Sequence, residues 1–342
     1  MPSSTQPGPS AADIQAAIDA KTKPIGALGR VEDTAVQLAR LQGTLKPKAS
    51  TCRLLIFAAD HGLAQAGVSA YPQAVTRQMV ANMLSGGACA NAFASALGAI
   101  VSIVDAGVGG EAIADETLID RRIAPGTQNS LSGPAMTPAQ YEAAIHAGKT
   151  LAQDAGEDVI CLGEMGIGNT ASASLLAHKI AGLPLEQMTG RGTGLDDAGL
   201  ARKTETLRKA AARTPKRLSA DSALQEYGGF EIVMMAGAVL GAASARKPVI
   251  IDGFIATAAA LAAHTLEPST KEAMIFGHVS EEQGHASLLA TLNASPLLSL
   301  DMRLGEGTGA LLAWPIVKAA AAMLRDVASF ESAGVSTQGS DP

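Results

Sequence analysis

The sequence predicts an α/β protein organised around a mostly parallel sheet, and three observations predict it. Short apolar runs recur through the middle of the chain and stop at a polar residue or a glycine. They are Leu54 to Ala59 ahead of Asp60-His61-Gly62, Ile100 to Val104 ahead of Asp105, Val159 to Leu162 ahead of Gly163-Glu164, Val249 to Ile251 ahead of Asp252-Gly253, and Met274 to Phe276 ahead of Gly277-His278. Several of these runs are followed by a loop and then an Ala-rich helical spacing, the signature of βα units. Composition agrees: aromatic residues are only 3% and Gly numbers 36, so Ala, Leu, Val and Ile must build a core of helices on a sheet. In such sheets ligands bind at the carboxyl ends of the strands, and the polar residues that end these runs are expected to line one cleft. Strand spacing alone does not separate an open sheet from a closed barrel.

In chain order, residues 1 to 12 read as a flexible leader, since Met1 to Ser10 is rich in Pro and Ser and lacks the apolar stretch a secretory signal needs. Val31, Ala35, Leu38 and Leu41 recur at helical spacing and predict an amphipathic helix. From Gln78 to Val104 the chain carries no charge, which raises the question of a membrane span. Asn82, Ser85, Gly86, Gly87, Asn91, Ser95 and Gly98 interrupt it, so two buried pieces of a soluble domain are expected, with no membrane partner. Ile113 to Arg122 makes a poor amphipathic helix, whereas Ala171 to Ile180 reads as a helix. Leu311, Trp314, Val317, Ala321 and Leu324 mark another amphipathic helix, and Gly334 to Pro342 reads as a flexible tail. A short-period repeat is absent, which argues against a solenoid.

At 342 residues, 47% hydrophobic and 17% charged, the chain can form one large domain, or a large and a small one, around a substantial core. Lys and Arg number 26 against 32 Asp and Glu, for a net charge of −6. Such a chain is a poor non-specific binder of nucleic acid, while a local basic pocket for one phosphate stays compatible with it. Cys52, Cys89 and Cys161 are far apart, form no C-x-x-C pair and sit among apolar or small residues. They are expected to be small buried hydrophobes in a reducing cytoplasm, not a disulfide or a zinc site.

The strongest local signal is Gly163-Glu164-Met165-Gly166-Ile167-Gly168-Asn169-Thr170, directly after a predicted strand and directly before a predicted helix. Glycines let backbone N–H groups approach an anion and a helix N-terminus adds favourable electrostatics, so this loop is a candidate phosphate cradle, though without the Lys of a P-loop. A tight strand-to-helix turn with Thr170 as N-cap would read the same way. Gly107-Val108-Gly109-Gly110-Glu111-Ala112 matches G-x-G-x-x-A after a strand, but no good helix follows. It is expected to be a loop, with an NAD-dependent oxidoreductase as the minor alternative. Gly190-Arg191-Gly192-Thr193-Gly194-Leu195-Asp196-Asp197, followed by Arg202 and Lys203, concentrates positive charge in an acidic chain. Leu304-Gly305-Glu306-Gly307-Thr308-Gly309 sets a carboxylate between glycines at the head of the Trp314 helix, as either an ordinary first-turn Glu or a group that a ligand can approach. Asp60-His61-Gly62 suits acid/base chemistry or half a metal site, but no H-x-x-x-H or H-x-H partner is near, so the metal reading is weak. His278 and His285, flanking Glu281 and Glu282, are expected to be polar loop or helix-start residues, not ligands.

Together these pieces resemble one family, the nicotinate-nucleotide:dimethylbenzimidazole phosphoribosyltransferases. The resemblance is carried by Lys23-Pro24-Ile25-Gly26-Ala27-Leu28-Gly29-Arg30, Ala59-Asp60-His61-Gly62, Gly67-Val68-Ser69-Ala70-Tyr71-Pro72-Gln73, the Gly163 to Thr170 loop, Gly190 to Asp197, Gly228-Gly229-Phe230-Glu231, Val249-Ile250-Ile251-Asp252-Gly253-Phe254 and Arg303 to Gly309, which together span most of the chain. The sequence departs from the family at Ile25 and Ala27, where Pro and Ser are usual, and at Gly277-His278, where Ser-His is usual.

The resemblance implies a Rossmann-like sheet flanked by helices, with a small helical domain assembled from both termini, in a homodimer. Residues 13–50 and 301–333 would form the small domain and 51–300 the α/β catalytic domain, between a leader at 1–12 and a tail at 334–342. It implies transfer of phosphoribose from nicotinate mononucleotide to 5,6-dimethylbenzimidazole or a related azole in cytoplasmic cobalamin lower-ligand synthesis. No cofactor or metal is implied, since the nicotinate leaving group already carries a cationic ring nitrogen. It also makes Glu306 the lead candidate for the catalytic base. The 5′-phosphate would lie on the backbone of Gly166, Gly168, Asn169 and Thr170, with Lys203 as counter-charge and Arg191 close by; Glu164 would meet the ribose hydroxyls, and Tyr71 and Met79 the azole. A helix start would keep Glu306 ionised while burial would raise its pKa, and the sequence does not say which prevails. A non-catalytic nucleotide-binding regulator would keep the glycine loops and have no use for Glu306.

Overall fold

The computed structural model describes residues 8–336. Secondary structure begins inside the expected leader. The Ser10 hydroxyl accepts the Asp13 N–H and the Asp13 carboxylate accepts the Ser10 N–H, a reciprocal cap that starts α1 (Ala11–Asp19) at Ala11. The Val31 spacing lies on α2 (Arg30–Gln42). β1 (Cys52–Ala59) is followed by α3 (Ala74–Leu84), α4 (Cys89–Leu97) and β2 (Ile100–Gly107), so the uncharged stretch is two short helices and a strand. Among the described residues no helix is long and apolar enough to cross a membrane. Between Ile113 and Arg122 lies the short strand β3 (Ile119–Asp120), and Gly107 to Ala112 runs from the end of β2 into a loop with no helix after it.

The chain continues through α5 (Pro138–Asp154), β4 (Val159–Met165), α6 (Asn169–Leu176), α7 (Leu185–Met188), α8 (Asp197–Ala212), α9 (Ala220–Tyr227) and α10 (Phe230–Ser244). β5 (Val249–Ile251), α11 (Phe254–Leu266), β6 (Met274–Phe276), β7 (His278–Val279), α12 (His285–Thr291), β8 (Leu298–Ser299), α13 (Thr308–Asp326) and α14 (Phe330–Ala333) complete it. Gly334, expected in the tail, instead closes α14 in a left-handed conformation, and the Val335 N–H donates to the Phe330 carbonyl. The rest of the expected leader and tail, residues 1–7 and 337–342, lie outside the described residues.

Six strands pair in the order β3-β2-β1-β4-β5-β6, all parallel, in an open sheet and not a barrel. The chain steps outward from β1 to β2 and β3, then crosses back to lay β4 on the other side of β1. Loops leaving β1 and β4 therefore part in opposite directions and open a crevice at the strands' carboxyl ends. The alternation along each strand divides the core. Leu55, Phe57, Ile160, Leu162, Val249 and Ile251 pack with α5, α6, α10 and α11, while Leu54, Ile56, Cys161 and Ile250 face Ile14, Leu38, Val317 and the buried Trp314. Helices from both ends of the chain thus share one apolar cluster with one face of the sheet. Cys52 and Cys161 lie in that cluster with their sulfurs 3.4 Å apart. Cys89, expected to be buried, is exposed, because α4 turns Ala90 and Ala94 inward and its first residue outward.

Candidate active site

A cavity of about 470 Å³ opens at the carboxyl ends of β4 and β5, and its two ends differ in chemistry. One end holds the carboxylates of Glu164, Asp252 and Glu306. The other is formed by Gly166, Asn169 and Thr170 with Gly192 and Thr193 opposite. Tyr71, Val75 and Met79 supply an apolar side, with Tyr71 about half exposed at the mouth.

Glu306 does not sit in the first turn of α13. It stands just before the N-cap, Gly307, with φ +60°, a left-handed conformation that costs a non-glycine residue roughly 1–2 kcal/mol. The strain is held by close packing: a Cβ on Gly163 would lie 2.7 Å from the Glu306 carbonyl oxygen, so only glycine in β4 lets this turn approach the strand. The side chain is buried, and its Oε2 accepts the Ala90 N–H in the first turn of α4 at 3.2 Å. Burial prevails over that hydrogen bond and, with the Asp252 charge adding to it, raises the Glu306 pKa. Asp252 follows β5 and accepts the Ala310 N–H at 3.0 Å, tying the start of α13 to the sheet. Burial raises its pKa too, against the pull of His278, whose Nε2 lies 3.6 Å away. Glu164, next to last in β4, is pushed up to about 8 by burial and then by the charges of Asp252 and Glu231; the Asn169 amide, which donates to Oε2, opposes the shift.

At the other end α6 begins at Asn169, with Gly168 at φ +100° in the N-cap position. Thr170 is therefore not the N-cap, because its hydroxyl is engaged elsewhere: Lys203 Nζ, reaching in from α8, donates to Thr170 Oγ1 at 2.9 Å and to the Gly190 carbonyl at 3.0 Å. Lys203 is fully buried, and burial lowers its pKa to about 8 against the pull of Glu282. Not every N–H of the loop faces a ligand, since Ile167 donates to Thr76 Oγ1 at 3.1 Å and Asn169 to the Gly166 carbonyl at 3.2 Å. Arg191 lies outside the main cavity. It shares a space of about 30 Å³ with Gly168 and Thr170 on the outer side of the loop, and its guanidinium donates to Asp197 at 2.5 Å and to the Leu195 carbonyl at 3.0 Å.

The expectation of a single cleft needs correction. Glu164, Asp252 and His278 line the main cavity, but Asp60 is turned to the far side of α3, where Thr76 Oγ1 and the Gly109 N–H bind it at 2.8 and 2.7 Å. Asp105 turns back to the Val108 N–H at 2.8 Å. His278 is no loop residue; it is buried on β7 and faces the cavity, as do Glu282 and Arg303, neither of which the sequence singled out as a site residue. His285 starts α12 as expected. Its Nε2 meets Thr257 Oγ1 at 3.0 Å, its Nδ1 accepts the Ser280 N–H at 2.9 Å, and burial lowers its pKa to about 3, so the ring is neutral. Among the described residues no group of three or more His, Cys, Asp or Glu is arranged to hold a metal ion.

An open parallel sheet whose strand ends carry acidic groups and a glycine loop into one cavity defines an α/β nucleotide enzyme. A family model described as Phosphoribosyltransferase matches residues 6–335. Nicotinate-nucleotide–dimethylbenzimidazole phosphoribosyltransferases of Cupriavidus taiwanensis and Aromatoleum aromaticum are 53% and 52% identical to the chain, over 95% and 96% of its length and 94% and 96% of theirs. The crystal structure of CobT from Thermus thermophilus superposes with a TM-score of 0.92 at 44% identity, covering 95% of this chain and 98% of that one. The chain belongs to this phosphoribosyltransferase family.

Proposed function

We propose that the protein transfers the phosphoribosyl group of nicotinate mononucleotide to 5,6-dimethylbenzimidazole or a related azole, giving α-ribazole 5′-phosphate and nicotinate for the lower ligand of cobalamin. One observation carries the reading: a single cavity has the buried Glu306 carboxylate at one end and, at the other, a glycine loop opening a helix with Lys203 beneath it. A nucleotide phosphate suits the second end and an azole N–H suits the first.

In the reaction the lone pair of one azole nitrogen forms the new bond to the anomeric carbon. The bond to nicotinate breaks, and its electron pair neutralises the cationic ring nitrogen of the leaving group. The proton on the other azole nitrogen becomes acidic as positive charge develops, and Glu306 accepts it. A carboxylate whose pKa is raised by burial is a stronger base than an exposed one. Glu164, with its pKa near 8, keeps its proton at neutral pH and donates it in a hydrogen bond to a ribose hydroxyl. Asp252 adds negative charge where an oxocarbenium-like sugar would develop positive charge. The azole packs on Tyr71 and Met79, and the 5′-phosphate is held by Gly166, Gly168, Asn169 and Thr170 with Lys203, and with Arg191 at the outer wall. In the same reading residues 51–300 form the catalytic body, 13–50 and 301–333 a small domain, and the protein works as a cytoplasmic homodimer.

The test is to mix the protein with nicotinate mononucleotide and dimethylbenzimidazole and follow free nicotinate. Release with formation of the azole nucleotide is expected. Binding of the mononucleotide without turnover would point to a regulator, and binding of NAD(H) with no nicotinate release to an oxidoreductase.

A further inference from the structure

Two motifs have no residue in contact with substrate in that reading, Asp60-His61-Gly62 after β1 and Gly228-Gly229-Phe230-Glu231 at the start of α10, although the Glu231 charge helps to raise the Glu164 pKa; the fold brings the two together beneath the glycine loop. His61 Nε2 and Glu231 Oε1 are 2.6 Å apart, and His61 Nδ1 is 3.0 Å from Ser172 Oγ in the first turn of α6. Neither His61 nor Glu231 lines the cavity, and both are buried, at 1% and 0% exposure, which removes them from contact with substrate. We infer that His61 and Glu231 are positioning residues that fix the Gly166–Thr170 loop in the shape that binds the 5′-phosphate. The inference rests on the phosphate reading of that loop.

Packing and polarity both support it. A Cβ on Gly166 would lie 2.6 Å from the Ala59 carbonyl oxygen and 3.4 Å from His61 Nε2, and one on Gly168 would lie 3.2 Å from Ala64 Cβ and 3.4 Å from His61 Cβ, so the histidine packs against the turn at both glycines beside the Ala59 and Ala64 groups. The neighbouring Asp60 provides a second strut, since its Oδ1 accepts the Thr76 hydroxyl, which in turn accepts the Ile167 N–H. One dipeptide at the end of β1 thus holds the loop from two sides. The groups facing the imidazole are Glu231 from α10, Ser172 from α6 and the more distant Asp60 charge. Burial opposes a charge on the ring, but the two carboxylates outweigh it and raise its pKa. Through Nε2 to Glu231 and Nδ1 to Ser172 the ring bridges α10 and α6 beneath the loop, and the raised pKa favours the form that pairs with the Glu231 charge. Glu231 Oε2 has no hydrogen-bond partner among the described residues, so the histidine is the main compensation for that charge.

The experiment compares kcat/KM for nicotinate mononucleotide and for nicotinate riboside, which lacks the phosphate, in the wild type, Glu231→Gln and Ser172→Ala. The wild type is expected to prefer the mononucleotide. Glu231→Gln should lose about tenfold of that preference, with kcat at saturating mononucleotide held within about threefold; Ser172→Ala should lose about threefold. A folded Glu231→Gln that keeps the wild-type preference, or that loses kcat equally on both substrates, overturns the inference, because a general packing defect would not single out the phosphate. If circular dichroism shows Glu231→Gln unfolded, Ser172→Ala decides alone, and an unchanged preference overturns it. A wild type that does not distinguish the two substrates refutes the phosphate reading itself, and this inference with it.

Discussion

The phosphate end and the carboxylate end line one cavity and meet where the Asn169 amide donates to Glu164, yet they are assembled differently. The phosphate end comes from one continuous strand, loop and helix, Gly163 to Thr170, supported from below by Lys203 and the His61–Glu231 pair. Its ligand groups are largely backbone N–H, which every turn carries. The carboxylate end draws Glu164, Asp252 and Glu306 from three distant segments, and two of them are held by the N–H groups of other helices, Ala90 for Glu306 and Ala310 for Asp252. The difference teaches where function divides. A single turn can bind an anion, but several buried carboxylates need several strand ends and a donor for each. Substitutions at the first end should therefore act on binding and those at Glu306 and Asp252 on chemistry, while Glu164, which meets the ribose, acts on binding as well.

Glu306→Gln should produce the largest effect and is the direct test of that division. Glutamine keeps the shape and can still accept the Ala90 N–H, but it is no base. Positioned general bases contribute about 10²–10⁴-fold, so kcat should fall by that factor while mononucleotide binding, measured by calorimetry, stays near wild type. Because glutamine occupies the same left-handed backbone, thermal stability should change by less than about 1 kcal/mol. A folded variant with wild-type turnover would make Glu306 structural and leave the proton to a different acceptor.

Lys203→Met probes the opposite end and should do the reverse. Lys203 is fully buried and does not line the cavity, so it acts on the phosphate through its charge and through the Thr170 and Gly190 groups it holds; kcat/KM for the mononucleotide should fall by about tenfold while that for nicotinate riboside is nearly unchanged. The desolvation of a buried ammonium disappears as two acceptors lose their donor, changes of opposite sign, so melting should shift by only about a few degrees. Equal losses on both substrates would mean that Lys203 supports the fold and not the phosphate.

Much of this division was legible in the sequence, and what was missed has a physical reason. Strands β1, β2, β4, β5 and β6 were visible as apolar runs, and the glycine loop was visible because strand, glycines and helix are contiguous. Glu306 was an open choice on local grounds, since a Glu before a helix is commonplace, and only the family resemblance raised it. What marks it structurally, a left-handed backbone pressed on Gly163, is a contact between distant segments. His61 was visible as a residue at a strand end but not as a partner of Glu231, for no local spacing relates the end of β1 to the start of α10. The single-cleft expectation failed because α3 stands between Asp60 and the main cavity, and a helix's path over a sheet is set by packing that the sequence does not spell out. The Thr170 cap failed for a similar reason, Lys203 arriving from α8.

A pH profile sharpens the comparison with a smaller effect. At neutral pH Lys203 is charged and Glu164 protonated, both with pKa near 8. As pH rises through 8 the first loses its charge and the second gains one, and both changes weaken the hold on the mononucleotide. Its kcat/KM should fall on the alkaline side, each group contributing up to about tenfold per pH unit, reporting groups of the free enzyme. On the acid side kcat should fall as Glu306, whose pKa burial raises above the ordinary 4.5, takes up its proton. Lys203→Met should make the alkaline limb shallower and Glu306→Gln should abolish the acid limb. An alkaline limb identical in Lys203→Met would leave Glu164 as the only group behind it.

Arg191→Ala should give the smallest effect, and it tests whether the phosphate end is formed before substrate arrives. The guanidinium is engaged by Asp197 and the Leu195 carbonyl on the outer side of the loop; the Arg191 and Asp197 side chains are 50% and 93% exposed, and exposed pairs of this kind are worth about 0–1 kcal/mol. If the loop keeps this arrangement when occupied, Arg191 adds only a screened attraction from the outer wall. KM for the mononucleotide should then rise by no more than about threefold, with kcat unchanged and the difference shrinking at high salt. A loss as large as that of Lys203→Met, persisting at high salt, would mean that the Gly190 to Asp197 segment closes on the phosphate and exchanges Asp197 for substrate. The phosphate end would then be completed by its ligand, and only the carboxylate end, held by backbone N–H groups at Ala90 and Ala310, would be preformed.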